Sequence, residues 1–279
     1  MRKWVLLAIA ICCTAGLTAH EFWLMPARFF YFIREKSNIR FQTGENFIGS
    51  NWSGNRDKIQ QLNHYTPGGL TVDISDKLSM QPGDSLLLPL AEEGTHMIVF
   101  NSKNTFIDLA PDQFDAYLEE DGLSDALKYR RDQGETTKNG REYYQRSVKT
   151  IVQVGNKRTD QCLLPTSLPL DIVPLENPYS SPDWPPGRSL PEVGFQLLFL
   201  GEPLANALVK VWYRDESGTN RMETLTSNKK GRIKMARHPG PVMISAVYMR
   251  RLKDDPQADW QSYWASLTLE FSRFFPVNR

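Results

Sequence analysis

A histidine at the start of a chain offers a metal ion two donors from one residue, the α-amine and the ring Nδ1, which together close a chelate ring. The α-amine titrates at about 7.7 to 8.0, low enough for a metal to displace its proton at neutral pH. In this 279-residue chain His20 follows the small residues Thr18 and Ala19, and a cut after Ala19 would make it the first residue. Such donors suit Cu(II) and Ni(II), which favour tetragonal or square-planar N/O surroundings. Imidazole is also a good zinc ligand, so the donors alone do not select the metal. A second imidazole would complete the site, and the candidates are His64, His96 and His238. His96 is the first choice because it opens the apolar run Met97 to Phe100 in the same half of the chain as His20. His64 adjoins the turn Pro67-Gly68-Gly69, where a solvent-exposed histidine is unremarkable, and His238 beside Pro239-Gly240 reads as a loop residue.

Other reactive groups do not assemble into a catalytic set, and the chain reads as a non-enzyme. No serine sits in a Gly-x-Ser-x-Gly elbow, no glycine loop is built to cradle phosphate, and Cys162 has no histidine near it in sequence. The scattered methionines, Met80 to Met249, fit a core better than a copper(I) site. Glu119-Glu120-Asp121 lacks the ligand spacing of a calcium loop.

A cleavable export signal is expected over residues 1–19. Arg2 and Lys3 precede the apolar run Trp4 to Cys13, which is short of the roughly 20 residues a membrane-spanning helix needs. Export to the periplasm follows from that order. Lys and Arg number 33 against 32 Asp and Glu, and without Arg2 and Lys3 they number 31. No concentrated positive field exists to recruit nucleic acid or a membrane surface. Only Cys162 remains beyond the leader, so no internal disulfide can form and stability must come from the core.

The elements that must position these residues are mostly short strands. Between Glu21 and Ser102 apolar residues alternate at Phe29, Tyr31, Ile33, Ile39 and Phe41, then at Leu70, Val72 and Ile74, with glycine turns between. Leu86 to Leu90 and Met97 to Phe100 add two further strands. The period changes after Asp108. Pro111 starts a helix with Phe114, Tyr117 and Leu118 on one face and a stop at Gly122, Ser124 opens a second, and Arg141 to Val152 reads as a third through Tyr144, Val148 and Ile151. Seven prolines from Pro165 to Pro186 mark a boundary. Six further strands follow: Val193 to Leu200, Ala207 to Tyr213, Met222 to Thr226, Arg232 to Met235, Val242 to Met249 and Ser266 to Phe271. The expected architecture is mainly β: two β-sandwich domains with a small helical insertion in or after the first. The limits are 20–175 for the first domain, with the insertion at about 111–152, then 176–190 for a proline-rich linker and 191–279 for a transthyretin- or immunoglobulin-like sandwich.

Several segments carry a family resemblance. These are Ala19-His20-Glu21-Phe22-Trp23-Leu24, then Phe114 to Leu123 followed by Arg141-Glu142-Tyr143-Tyr144 and Lys149, then Leu170 to Leu175 with Asn177-Pro178. Gly201 to Val209 and Trp264 to Thr268 complete the set. In this order they resemble the exported proteins of unassigned function often described as a nickel- or cobalt-uptake substrate-specific region. The resemblance implies an extracytoplasmic β-sandwich protein associated with transition-metal uptake or handling, and together with the donor chemistry above it gives the expectation of a binding protein for a divalent transition metal, nickel, cobalt or copper, with His20 and His96 as ligands. That family commonly has a histidine in the strand corresponding to Val242 to Met249, where this chain has Tyr248, a poor ligand for such metals. The competing expectation is a non-catalytic envelope module that docks to a transporter or receptor and binds no metal.

Overall fold

A computed structural model describes residues 21–52, 56–78, 85–180, 190–215 and 217–272. The leader, His20 and most of the proline-rich stretch lie outside them. The first half contributes β1 (Glu21–Pro26), β2 (Phe30–Tyr31), β3 (Lys36–Glu45), β4 (Ile48–Asn51), β5 (Ile59–Tyr65), β6 (Thr71–Asp73), β7 (Leu86–Pro89), β8 (Gly94–Ser102) and β9 (Thr105–Leu109). The helices α1 (Pro111–Glu120) and α2 (Ser124–Asp132) follow, then β10 (Gly140–Val154) and β11 (Leu170–Pro174). The second half supplies β12 (Glu192–Phe199), β13 (Glu202–Pro203), β14 (Leu208–Arg214), β15 (Asn220–Thr226), β16 (Arg232–Ala236), β17 (Gly240–Arg251) and β18 (Trp260–Phe271).

A ten-stranded sheet forms the middle layer in the order β15-β14-β17-β18-β10-β8-β5-β6, with β2 and β9 also paired to β10. Strands from both sides of the 176–190 stretch lie in it, joined where β10 and β18 run parallel from Glu142 opposite Trp260 to Thr150 opposite Thr268. The described parts of the segments 20–175 and 191–279 thus meet through this ladder and through the antiparallel pairing of β11 with β12, from Leu170 opposite Phe199 to Pro174 opposite Phe195.

Side chains alternate across this sheet and feed two cores. Met97, Val99, Ile151, Val211, Ile244 and Leu267 pack against β11, β12 and β16 on one side. Ile98, Phe100, Val148 and Val152 point the other way and meet Phe22, Leu24, Ile39 and Phe41 of the β1-β3-β4 sheet. Ser266 Oγ donates to the Phe22 carbonyl at 2.7 Å and Thr268 Oγ1 to that of Leu24 at 2.6 Å, which fixes β1 across β18. On the same side the two helices seat Phe114, Leu118 and Ala126 against Val247, Met249 and Trp260. The chain is therefore mainly β and sandwich-like.

The helical insertion is shorter than its sequence suggests. Residues 141–152 belong to a strand, β10, and the helices end at Asp132. Tyr144, Val148 and Ile151 do fit a helical spacing. However, the run is rich in aromatic and β-branched residues that favour a pleated surface, and from Val148 onward it is buried on both faces, which hides the period of two. The stop at Gly122 holds: this residue takes φ of +67° and Leu123 N–H closes back on the Leu118 carbonyl at 2.8 Å.

Gly140 opens β10 under α1. A Cβ built there would lie 2.0 Å from Phe114 Cγ, inside a fully buried ring. Gly140→Ala should therefore cost about 1–3 kcal/mol in urea denaturation through overpacking. Adding Phe114→Leu to that variant should recover part of the loss; an alanine variant as stable as the parent would show that the contact relaxes freely.

Candidate functional site

His96 stands on β8 and His64 on β5. The antiparallel register sets His64 opposite Ile98, so His96 is its diagonal neighbour on the same face. Both are buried. The rings lie nearly parallel, 5.0 Å between centroids at 16°, with His64 Nε2 2.8 Å from His96 Nδ1. His96 Nε2 lies 2.9 Å from the Glu92 carbonyl oxygen, which can only accept. The tautomers follow: His96 carries its proton on Nε2, and its bare Nδ1 accepts from His64 Nε2–H. Burial, followed by the neighbouring His96 and Lys77, pulls His64 down to about 3, and burial also lowers His96 against the pull of the Glu92 carbonyl. Both rings are neutral at pH 7, the state in which imidazole ligates metal.

Two nitrogens bound at about 2.0–2.1 Å to one ion, at a right angle, lie about 2.9 Å apart. The observed spacing is close to that, and the Nε2–H bond of His96 to a backbone carbonyl is the support that metal-bound histidines usually have. In this tautomer His96 Nδ1 is the one free donor of the facing pair, and His64 Nε2 becomes a second when the His64 proton moves to its Nδ1. Among the described residues no group of three or more His, Cys, Asp or Glu side chains could hold a metal ion.

His20 lies outside the described residues. Glu21, which follows it, is the buried first residue of β1. Its carboxylate accepts from Ser245 Oγ at 2.9 Å, and burial, then Asp121, raise it to about 7 against the pull of Lys210. Lys210 Nζ donates to Asp121 Oδ1 at 2.7 Å, with Glu120 at 3.8 Å. From Ser245 on β17 to His96 on β8 the path crosses β18 and β10, three steps of about 4.8 Å each. The start of β1 and the histidine pair are separate places on one face of the sheet.

His238 stacks on Tyr213 with 3.6 Å between centroids and faces Glu223 Oε1 at 3.4 Å. Tyr248 packs against Phe199, 4.4 Å between centroids. Cys162 is a buried free thiol pushed up to about 12, chiefly by burial. Two groups whose partners the sequence does not show are also present. Glu142 Oε1 accepts from Ser262 Oγ and, at 3.3 Å, from the Tyr117 phenol, while its buried Oε2 has no hydrogen-bond partner. The other is His64 itself, whose partnership with His96 depends on the pairing of strands 32 residues apart.

A family model described as "Domain of unknown function (DUF4198)" matches residues 17–250. No curated protein matches the chain. One solved structure, a tetra-tandem repeat in the extending region of a large adhesion protein, is similar at 10% identity over 90% of this chain, with a TM-score of 0.21. This chain spans 50% of that one, and at such a score the likeness carries no argument.

Proposed function

The chain belongs to the DUF4198 family, a domain of unknown function, and from the geometry of its histidines we propose that it is an exported, periplasmic binding protein for a divalent transition metal: nickel, cobalt or copper. The observation that carries this reading is the His64–His96 pair, two neutral rings with facing nitrogens 2.8 Å apart and the outer nitrogen of His96 held by a carbonyl. A small opening of the pair, with the His64 proton transferred from Nε2 to Nδ1, would let both facing nitrogens ligate an ion, with solvent or the cargo's own ligands completing its shell. His20 is the second nitrogen-donor arm in this proposal. Once the leader is removed, its amine and ring form an independent chelate one residue away from Glu21, and the metal is cargo at both places.

Calorimetric titration of the leader-free protein with Cu(II), Ni(II) and Co(II) tests this reading. His96→Ala and His64→Ala should each weaken one binding equivalent by more than the roughly 10- to 100-fold that follows loss of an outer-shell partner, because each removes a direct ligand. One residue added before His20 should abolish the other equivalent. Circular dichroism and the melting temperature establish that each variant is folded. No saturable binding of any of the three metals, or wild-type affinity in both histidine variants and in the extended chain, would reject the assignment.

A further inference from the structure

β10 and β18 pair as far as Thr150 and Thr268 and then part. Beyond that point β2 takes the place of β18, with Phe30 and Tyr31 opposite Gln153 and Val154. Tyr179 spans the fork: its phenol donates to the Ile151 carbonyl of β10 at 2.7 Å and meets the Glu270 backbone N–H of β18. The Tyr179 ring meets Phe30 edge-on, 5.2 Å between centroids at 70°. A cleft of about 330 Å³ opens in this fork, walled by Phe29, Phe30, Tyr31 and Phe32 and reached by Arg158 and Glu270.

Glu270 is the unusual member. It is half-buried, and among the described residues no hydrogen bond or ion pair engages its carboxylate. Burial raises its pKa and no neighbouring charge contributes. The two arginines of the cleft have other partners. Arg28 pairs with Glu35 at 3.2 Å, and Arg158 donates from Nε to the Tyr179 carbonyl at 2.7 Å and from Nη1 to that of Asn156 at 2.6 Å. A carboxylate withdrawn from water without a counter-ion is costly, and a ligand that brings a positive charge recovers that cost. A bare hard dication is a poor match, because calcium takes about six to eight oxygen ligands and Glu270 is the one carboxylate that lines the cleft among the described residues. The aromatic walls suit a carbon body, and their ring faces attract an adjacent cation.

We propose that the fork between β10 and β18 is a binding site for a small organic ammonium ion, with Glu270 accepting from the ammonium group and Phe30 and Phe32 enclosing its carbon skeleton. The site is independent of the histidine pair, so its test uses leader-free protein kept in a chelator. Benzylamine is titrated by calorimetry beside benzyl alcohol, its neutral counterpart of similar shape. Benzylamine should bind at least about 10-fold more tightly, the worth of one charge-assisted hydrogen bond. Glu270→Gln should abolish that preference while the melting temperature is maintained, and Phe32→Ala, at a half-exposed wall, should weaken both probes. Equal affinity for the two probes, no saturation by benzylamine, or an undiminished preference in Glu270→Gln would each overturn the assignment.

Discussion

Lys149→Met should cost about 3–5 kcal/mol of folding stability, the usual penalty for removing one partner of a buried ion pair. Lys149 on β10 and Asp171 on β11 face each other with side chains 1% and 2% exposed. Asp171 Oδ2 also accepts from the Thr166 N–H at 2.7 Å and the Thr166 hydroxyl at 2.9 Å, which fixes the carboxylate but supplies no charge. Without the ammonium, an anion remains in a layer otherwise filled by Ile151, Leu170 and Ile172. Total stability for a domain is about 5–15 kcal/mol, so the single variant should be near its unfolding threshold at 37 °C. The double variant Lys149→Met, Asp171→Leu removes both charges and should return to within about 1–2 kcal/mol of the parent, because apolar residues of similar volume replace such pairs with little loss. Urea denaturation of the three proteins decides the matter. A cost below about 1 kcal/mol for Lys149→Met would show that water reaches the pair, and a double variant no better than the single would show that packing, not charge, is the source of the loss.

This pair also shows which features of the fold can be read in the sequence. Local signals can: the apolar run Met97 to Phe100 lies within β8, Pro111 opens α1, and Gly122 closes it. Two-sided burial cannot, because Tyr144, Val148 and Ile151 fit a helix as well as a strand until β8 and β18 are known to flank them. Non-local pairing cannot either. His96 attracts notice as a strand histidine, but its neighbour is His64 because β5 and β8 are antiparallel in one particular register. Ser262 reaches Glu142 across 120 residues through the parallel β10–β18 ladder, and Ser245 reaches Glu21 across 224. Residue types and turns are written along the chain, while the partners that set tautomers, charge states and burial follow from sheet order.

The acids brought together in this way give the protein a pH-dependent stability of predictable sign. Glu142 is pushed up to about 8, mainly by burial, and Glu21 to about 7; both start from 4.5 in an open chain. Between those values the folded protein holds a proton that the unfolded chain has released, so a rise in pH favours unfolding. Asp121, raised by burial to about 6 against the pull of Lys210, acts in the same direction at lower pH. His64 acts in the opposite direction. Below 6.5 the unfolded chain takes up a proton that the buried ring refuses until about pH 3, and His96 shifts the same way. Above 6.5 the opposing histidine contribution fades as the unfolded imidazoles lose their protons, and the two carboxyls dominate. From pH 6.5 to 8 the unfolding free energy should therefore fall by about 2 kcal/mol, at about 1.4 kcal/mol per pH unit per fully engaged group. Glu142→Gln keeps an oxygen that can accept from Ser262 and Tyr117 but cannot ionise, so its decline over the same range should shrink to below about 0.7 kcal/mol, the share of Glu21 less the histidine offset. Urea titrations of both proteins at pH 6.5 and 8 measure the difference. A parent equally stable at both values, or a glutamine variant that declines just as steeply, would mean that Glu142 is already ionised at neutral pH and that its unpartnered oxygen is reached by solvent.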